Sequence, residues 1–375
     1  MRESHPLAEV AKVFFKLGCI AFGGPAVHIA MMEEEVVKKR KWMTPEHFLD
    51  LVGATNLIPG PNSTEMTMHC GHERAGWKGL IVAGACFIFP AVVITAIIAW
   101  AYQTYGKLPT VQPFIYGIKP AIIAVIVSLM ISLGKKALKT TALGVLGILS
   151  LIAALAGVNE IYILFGAGIL GMIIHWIHKG NHASIFVLPL TFLPALNQSI
   201  EISNTKLFWI FLKVGSILYG SGYVLFAFLD AELVSTSILP RQQLIDAIAV
   251  GQFTPGPVFS SATFIGWQLG GMNGAIAATA GIFLPSFIFV AFLNPLIPRL
   301  RKSTVMSAFL DTVNIVSVAL ILSVTIEMGK ETFSDWRTIV IAAGGFAATY
   351  YFKKLNTAFI ILGGALAGFI LSLLA

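Results

Sequence analysis

Two copies of the tripeptide Pro-Gly-Pro interrupt the apolar sequence at corresponding places, as Pro59-Gly60-Pro61 in the first half and Pro255-Gly256-Pro257 in the second. Proline lacks the amide hydrogen that a helix interior needs, and glycine adopts backbone angles that other residues avoid. Each copy therefore predicts a break between two short helices. In lipid, non-helical backbone is tolerated only where protein covers it or where it lines a cavity. The two breaks are thus the first place to expect a binding site.

The composition around these breaks is that of a membrane protein. Of the 375 residues, 57% are apolar and only 11% are charged, which is too apolar for a soluble domain of this length. Apolar segments long enough to cross a bilayer recur along the chain with short connections. The sequence predicts an all-α polytopic protein of the inner (plasma) membrane, and it offers no basic soluble surface for nucleic acid.

The second half of the chain repeats the first at an offset of about 196 positions. The aligned pairs include Lys16 with Lys213, Asp50 with Asp246, Gly76 with Gly271, and Pro90 with Pro285. One ancestral unit used twice explains the match. We predict an N-terminal repeat over 1–181, a linker over 182–205 and a C-terminal repeat over 206–375.

The basic residues indicate how the two repeats are oriented. They cluster at 38–41, 74–78 and 135–139 in the first half, and at 299–302 and 353–354 in the second. The equivalent positions of the other half are nearly bare. Since positive residues mark cytoplasmic loops, equivalent loops are expected on opposite sides. This predicts two inverted-topology repeats with a cytoplasmic linker and both chain ends outside, which is typical of secondary transporters with a site at the repeat interface.

Each repeat is expected to contain about five spanning helices and one re-entrant half-helix hairpin, giving ten spans. In the first repeat the hairpin is predicted from two short helices, 45–58 and 62–74, on either side of the Pro-Gly-Pro break. The segment before it, 10–32, is predicted as a span that a Gly-Gly-Pro sequence interrupts.

The breaks offer hydrogen-bond donors without a resident carboxylate, which suits an anion. A half-helix that begins after each break directs unpaired amides and a positive dipole end towards it. Side-chain hydroxyls and amides add donors, although the hydroxyls would equally serve as helix caps. The candidate binding residues in and beside the breaks are Asn56, Pro59, Gly60, Asn62, Ser63, Thr64, Gln252, Thr254, Gly256, Ser260 and Ser261.

The first segment of each repeat adds further candidates. Lys16 and Lys213 either supply positive charge to the site or extend their side chains to the membrane surface. His28 is a candidate proton carrier or anion ligand, with a satisfied buried histidine as the structural alternative. The glycines of the two breaks in these segments complete the set, namely Gly23, Gly24, Gly220 and Gly222.

Three acids are candidates for coupling transport to another ion. Asp50 and Asp246 occupy equivalent places in short helices, and they either form structural ion pairs or carry protons. Glu65 directly follows the first Pro-Gly-Pro break and has no acidic counterpart in the second half. If it faces the site, it repels an anion unless it is protonated.

The cysteines and histidines form no recognisable metal or catalytic motif. Cys19, Cys70 and Cys86 are unpatterned, and the spacing within residues 69–73 fits no zinc signature. No nucleophile elbow, phosphate-binding loop or zinc-protease helix occurs in the sequence. We therefore expect no cofactor, no metal and no enzymatic activity.

Taken together, the short motifs resemble the chromate ion transporter family in its long two-domain form. The resemblance rests on Phe22-Gly23-Gly24-Pro25 followed by His28, on residues 57–61, on residues 75–79 before Phe89-Pro90, and on residues 251–257. It covers both halves and implies export of chromate from the bacterial cytoplasm, which gives chromate resistance, with sulfate as a structural look-alike.

Carried over by position, the glycine and proline motifs of the family fall on the breaks described above. Two departures stand out: Ser221 interrupts the second glycine run, and His72-Glu73-Arg74 occupies a loop that usually resembles Trp-Arg-Arg in the family. The second departure removes one positive charge near the cytoplasmic mouth.

Export of a dianion is favourable without ATP, because an inside-negative potential contributes about 2.3 kcal/mol per charge per 100 mV. The alternatives are a transporter of sulfate or another anion, a channel-like pore with paired re-entrant half-helices, and an integral-membrane enzyme. The expected partners are chromate or a similar oxyanion, the lipid bilayer and, in a homodimer, a second copy of the chain.

Overall fold

The computed structural model describes residues 6–179, 203–219, 222–293, 303–352 and 355–373, and every regular element in these ranges is helical. The first repeat contains seven α-helices and one π-helical segment. They are α1 (Pro6–Ile20), α2 (Pro25–Met32), the π-helix Glu33–Lys39, α3 (Pro45–Thr55), α4 (Asn62–Tyr105), α5 (Gln112–Ala137), α6 (Thr141–Leu155) and α7 (Glu160–Lys179).

The second repeat follows the same order. Its elements are α8 (Asn204–Ile217), the 3-10 turn Gly222–Val224, α9 (Leu225–Leu229), the π-helix Asp230–Val234, α10 (Arg241–Phe253), the 3-10 turn Val258–Ser260, α11 (Ser261–Leu293), α12 (Thr304–Thr332), α13 (Trp336–Tyr351) and α14 (Thr357–Ser372). Nearly all of the predicted linker, together with Gly220 and the basic cluster at 353–354, lies outside the described residues. So does the whole cluster at 299–302.

Several helices begin at the capping signals that the sequence carries. The Thr44 hydroxyl accepts a hydrogen bond from the His47 amide at 3.2 Å, and Pro45 occupies the first helical position of α3. Ser203 caps α8 and Ser303 caps α12 in the same way. These side chains satisfy amides that the first helical turn leaves without partners.

Helix α4 is two antiparallel helices joined by a reverse turn. Ala75 and Gly76 leave the helical conformation, and Gly76 has a φ of 60°. Behind this turn a Cβ atom on Gly79 would overlap the Gly71 carbonyl oxygen, whereas residues eight apart in a straight helix are separated by about 12 Å. We call residues 62–74 the short arm and residues 77–105 the long arm of α4.

Helix α11 is built in the same way. Its chain reverses at Gly270 and Gly271, which has a φ of 59°. Residues 261–269 are the short arm and residues 272–293 the long arm of α11. Across the turn the hydroxyls of Thr263 and Thr279 are hydrogen-bonded at 2.7 Å. The predicted hairpin around the first Pro-Gly-Pro break therefore has α3 and the short arm of α4 as its two legs, and α10 and the short arm of α11 form its counterpart.

The first segment of each repeat is a second hairpin and not the span that we predicted over residues 10–32. Helix α1 ends at Ile20, and the chain then turns back through Gly23 and Gly24, whose φ angles are 104° and 84°. On the returning leg Glu35 pairs with Lys16 at 3.1 Å, and Trp42 donates a hydrogen bond to Glu9. Two successive residues with positive φ angles reverse the direction of the chain, whereas a single kink would have let the span continue.

The two repeats exchange helices. Helix α5 of the first repeat packs against α13 and α14, while α12 of the second repeat packs against α6 and α7. Small residues allow the close approach, because a Cβ atom on Gly117 would overlap the Gly364 carbonyl oxygen and one on Gly171 would overlap the Thr312 hydroxyl. Each bundle is therefore completed by a helix from the other repeat.

Equivalent helices run antiparallel where they meet. Gln103, near the end of the long arm of α4, lies beside Trp267, just before the reverse turn at which the long arm of α11 begins, and the Trp267 indole N–H donates to Gln103 at 2.9 Å. Helices α5 and α12 behave alike: Tyr116 near the start of α5 bonds to Asp335 after the end of α12, and Lys139 after the end of α5 pairs with Asp311 near the start of α12, both at 2.6 Å.

Five helices among the described residues are long and apolar enough to cross a membrane. They are α4, α5, α7, α11 with the 3-10 turn before it, and α12. Their outer surfaces carry the large exposed apolar side chains that a lipid-facing surface requires, such as Ile81, Ile97 and Ile276. The prediction of an all-α polytopic membrane protein is confirmed at this level.

A first prediction concerns the reverse turn of α4. The substitution Gly79→Ala should lower the free energy of unfolding by about 1–3 kcal/mol, as overpacking does, because the added methyl group meets the Gly71 backbone. Gly166→Ala on α7 is the matched control, since its Cβ atom has nothing within 4 Å. Thermal unfolding of both variants in detergent tests this, and equal melting temperatures would contradict the hairpin packing.

A second prediction uses the link between α12 and α13. The Tyr116 hydroxyl, helped by Arg337, lowers the pKa of Asp335 to about 2, from a usual value of about 3.9. A carboxylate with a lowered folded-state pKa stabilises the protein above pH 3.9, and this contribution is lost as the pH falls towards 2. Melting temperatures across this acid range should fall less in Asp335→Asn than in the wild type, and Tyr116→Phe should be intermediate.

Candidate functional site at the meeting of four hairpin tips

The hairpin tips of both repeats converge on one point between them. Each repeat contributes one tip between its first two helices and one tip at its Pro-Gly-Pro sequence. A small enclosed cavity lies where they meet, and two residues from each tip line it. These are Pro25 and His28, Pro61 and Ser63, Gly222 and Tyr223, and Val258 and Phe259.

Reciprocal backbone hydrogen bonds tie the tips together across the repeats. The Gly60 amide donates to the carbonyl oxygen of Leu218, one residue beyond α8, at 2.8 Å. The Gly256 amide donates to the carbonyl oxygen of Ala21, one residue beyond α1, also at 2.8 Å. The donors are equivalent residues of the two repeats, and so are the acceptors. Each Pro-Gly-Pro break thus satisfies its central amide with the other repeat.

Glycine is required at both donors by conformation and by space. Gly60 has a φ of 141° and Gly256 a φ of 85°, which other residues rarely adopt. A Cβ atom on Gly256 would lie 2.8 Å from the Ala91 side chain, and one on Gly60 would lie 2.6 Å from the Ser286 hydroxyl. Ala91 follows Pro90 and Ser286 follows Pro285, so the paired prolines of the long arms place both neighbours.

The cavity has a volume of about 10 Å³, room for roughly one water molecule. A tetrahedral oxyanion is larger than that. Such a ligand would fit only if the tips moved apart.

His28 is one of the residues that line this cavity. It is 1% exposed, and its Nδ1 atom is hydrogen-bonded to the Ser63 hydroxyl at 3.3 Å. Its ring meets the edge of Phe87, with ring centroids 5.6 Å apart. The ring also lies within hydrogen-bonding reach of the Ala21 backbone. His28 and Ser63 therefore join the two tips of the first repeat.

The first turns of the half-helices carry buried hydroxyls without partners. Thr64, Ser260 and Ser261 are at most 1% exposed, and none of their hydroxyl groups has a hydrogen-bond partner among the described residues. Gln252 is also buried with its amide nitrogen unpaired. Since a buried polar group without a partner is destabilising, these donors are poised to bind a ligand that accepts hydrogen bonds.

The lysines predicted as candidates lie away from the cavity. Lys16 pairs with Glu35 at 3.1 Å and Lys213 pairs with Glu232 at 2.7 Å, and both lysine side chains are more than half exposed. The lysine-to-surface alternative matches this placement. Because a lysine side chain is long, its position on a helix does not fix where the charge lies.

The remaining predicted residues are distributed around the tips. Asn56 accepts a hydrogen bond from Asn62 at 2.7 Å, both outside the cavity, and the Thr254 hydroxyl donates to its own helix. Asp50 is exposed, whereas Asp246 is buried, accepts a hydrogen bond from Tyr102 at 2.6 Å and lies 3.8 Å from Lys119.

Tyr223, Phe259 and Ser286 were not predicted. Tyr223 follows Gly222 and Phe259 is the counterpart of Ser63, so alignment of the repeats could have located both. Ser286 contacts Gly60 only through the fold, and its signal was the proline before it. Among the described residues no group of three or more His, Cys, Asp or Glu side chains is arranged to hold a metal ion.

Comparison with known proteins agrees with this two-repeat architecture. A family model described as Chromate transporter matches residues 8–172 and again residues 205–369. A "Probable chromate transport protein" of Synechococcus elongatus is 28% identical, covering 98% of this chain and 96% of the relative. "Chromate transport protein" sequences of Cupriavidus metallidurans and Pseudomonas aeruginosa are 26% and 27% identical, covering 98% and 95% of this chain and 94% and 90% of the relatives. No solved structure gives a significant match.

The reciprocal hydrogen bonds generate a third prediction. Gly60→Ala and Gly256→Ala should each lower the free energy of unfolding by about 1–3 kcal/mol, the range for residues held in sparsely populated backbone conformations. Gly134→Ala on α5 is the control, because its Cβ atom would make an ordinary contact of 3.7 Å with Val318. Urea or thermal unfolding in detergent measures the difference. If Gly60→Ala were as stable as Gly134→Ala, the tip conformation would not depend on this glycine.

Proposed function

The chain belongs to the chromate transporter family, and we propose that it is a secondary transporter that exports chromate from the cytoplasm across the inner (plasma) membrane. The observation that carries this proposal is the convergence of four hairpin tips, two from each repeat, around one cavity, with buried unpartnered hydroxyls in the first helical turns beside it. Inverted-repeat transporters place their substrate sites at such an interface, where broken helices meet.

The antiparallel packing of equivalent helices supports the inverted topology. Two parallel repeats would bring the start of one long arm beside the start of the other. Instead, Gln103 near the end of one long arm lies beside Trp267 before the start of the other. At the opposite end, a Cβ atom on Gly84 would lie 2.7 Å from the Phe287 ring. The two repeats then face opposite sides of the membrane.

The donors around the cavity suit a tetrahedral oxyanion. His28 and Ser63 line the cavity from one repeat. Ser260 and Ser261 belong to the other repeat and directly follow Val258 and Phe259, which line the cavity. Together with the unpaired amides of the short arms they replace the water shell of the ion. A hydroxyl or amide that has no partner in the closed state gains one when the anion binds, which favours the open and occupied state over the open and empty one.

The outer ends of the hairpins differ in charge, and this supports export. In the first repeat Lys39, Arg40 and Arg74 surround Glu35 and Glu9. In the second repeat Arg241 stands among three acids. These are Asp230, Glu327 and Glu331. A basic entrance on the cytoplasmic side attracts anions, and an acidic exit repels their return.

From the reciprocal hydrogen bonds we infer how the cavity gains access to one face of the membrane at a time. The bond from Gly60 to Leu218 and the bond from Gly256 to Ala21 each join a Pro-Gly-Pro break to the first hairpin of the other repeat. When one bond opens and the other persists, the cavity is accessible from one face only. The two bonds then act as the two gates of an alternating-access cycle.

A fourth prediction tests the binding residues. Ser63→Ala removes a hydrogen bond to the anion and should weaken chromate binding by about tenfold, equivalent to about 1.4 kcal/mol. Ser150→Ala on α6 is the control, since Ser150 is also buried but does not line the cavity. Binding of labelled chromate to purified protein in detergent gives the affinities.

The same proteins reconstituted in vesicles test transport. We expect saturable chromate flux that follows an imposed membrane potential and is inhibited by sulfate in proportion to its affinity. Flux that rises without saturation would instead indicate a channel-like pore. Saturable flux of sulfate without chromate would assign a different oxyanion to the same site, and absence of flux for every oxyanion would sink the proposal.

A further inference from the structure

Four ionisable side chains lie along one face of the short arm of α4. They are Glu65, His69, His72 and Glu73, whose spacing of four, three and one residues places them within one stripe of a helix. Exposure increases along the stripe: Glu65 is 0% exposed and His69 is 1% exposed, whereas the Glu73 side chain is 35% exposed. Glu73 pairs with His47 of α3 at 3.2 Å. The stripe therefore leads from the first Pro-Gly-Pro break to the protein surface.

The two buried members have no structural partners. Neither carboxyl oxygen of Glu65 and neither ring nitrogen of His69 is hydrogen-bonded to any described residue. A buried ionised carboxylate without a partner is strongly destabilising, so its neutral form is favoured. An apolar side chain of similar size at either position would avoid this penalty. Packing alone therefore does not account for Glu65 and His69.

Glu65 lies against the first Pro-Gly-Pro break. Its Oε1 atom occupies the space that a Cβ atom on Gly60 would need, and the Ser286 hydroxyl of α11 approaches the same point. The Ser286 hydroxyl also has no partner among the described residues. A change of charge on Glu65 therefore acts directly on the amide that closes the first gate.

The other titratable groups around the short arm are few and mostly paired. Helix α2 contributes His28, which bonds to Ser63, and α3 contributes His47, which pairs with Glu73. Helix α1 contributes Glu9, which pairs with Arg74 at the outer end. The Tyr219 phenol, beyond the end of α8, is within electrostatic range of Glu65. No described lysine or arginine is hydrogen-bonded to Glu65 or forms an ion pair with it.

The stripe occurs in the first repeat only. At the corresponding positions the second repeat has Ser261, Ile265, Trp267 and Gln268. None of these ionises near neutral pH. An otherwise duplicated scaffold thus carries one line of proton-binding groups, and that line reaches the face at which Arg74 and Glu9 lie.

We propose that this stripe is a proton path from the face at which Arg74 and Glu9 lie to the first Pro-Gly-Pro break. We further propose that an oxyanion binds only when Glu65 carries a proton. A proton taken up at Glu73 or His72 passes to one ring nitrogen of His69, while the proton on the other nitrogen passes to the Glu65 carboxylate. The neutral carboxyl no longer repels the anion, and its O–H group becomes a donor. One proton then accompanies each anion through the cycle. This inference rests on the proposed function, because it assigns the ion that is coupled to the oxyanion.

Proton and anion binding must then reinforce each other. A lower pH increases the protonated fraction of Glu65 and so raises the affinity for the anion. Anion binding in turn raises the proton affinity of Glu65 by the same factor. Glu65 acts on the binding equilibrium, whereas His69 only conducts. The two positions are therefore distinguished by different measurements.

The test compares chromate affinity across a pH series for the wild type, Glu65→Gln, His69→Gln and the control His175→Gln. His175 is a partly buried histidine on α7, which packs against α6 and α12. Wild-type affinity should fall with rising pH more steeply than that of Glu65→Gln, by about tenfold per pH unit. The difference isolates the carboxyl from the protonation of chromate, because both proteins meet the same mixture of ligand species.

His69→Gln should keep the wild-type slope at equilibrium but slow chromate-driven proton uptake, followed with a pH-sensitive dye inside vesicles. His175→Gln should match the wild type in both measurements. Equal slopes for the wild type and Glu65→Gln would overturn the inference. If Glu65→Gln does not fold, the dye measurement on the wild type decides, since saturable chromate flux without proton movement also overturns it. That outcome leaves chromate transport intact, whereas absence of saturable chromate binding in the wild type removes the proposed function.

Discussion

A broken helix inside a membrane leaves backbone amides that water cannot reach, and each of them needs a partner within the protein. In each Pro-Gly-Pro break the central amide finds its partner in the opposite repeat. Gly60 donates to Leu218, and Gly256 donates to Ala21. The acceptors are carbonyl groups just beyond the ends of α8 and α1, which also lack helical partners. The position of one hairpin tip is thus fixed by a different hairpin of the opposite repeat, and the cavity between them is a consequence of this pairing.

The duplication supplies a symmetric scaffold, and the chemistry departs from that symmetry. Glycines and prolines that shape the tips occur in both repeats, as do the lysine–glutamate pairs of the first hairpins. His28, Glu65 and His69 occur only in the first repeat, where their counterparts are Leu225, Ser261 and Ile265. Backbone geometry is therefore shared between the repeats, whereas these three ionisable groups occur in the first repeat alone.

Much of this architecture was predictable from the sequence because it depends on local signals. Pro-Gly-Pro predicted the breaks, Thr44 and Pro45 predicted the start of α3, and the repeat predicted that both breaks are alike. The segment 10–32 was predicted wrongly, since apolar composition does not distinguish a span from a hairpin and the two positive φ angles of Gly23 and Gly24 decide between them. The contacts of Ser286 and Tyr223 with the tips join residues far apart in sequence, and no local pattern encodes them.

The exchange of helices between the repeats has a consequence for biosynthesis. The surface of α5 around Gly117 is covered by Gly364 and Gly368, which are synthesised long after it. A ribosome releases the N-terminal portion first, so the groove on α5 stays vacant until the C-terminal helices arrive. Contacts of such long sequence separation slow folding. Termination of synthesis before Gly364 would therefore leave the earlier helices with an unfilled groove.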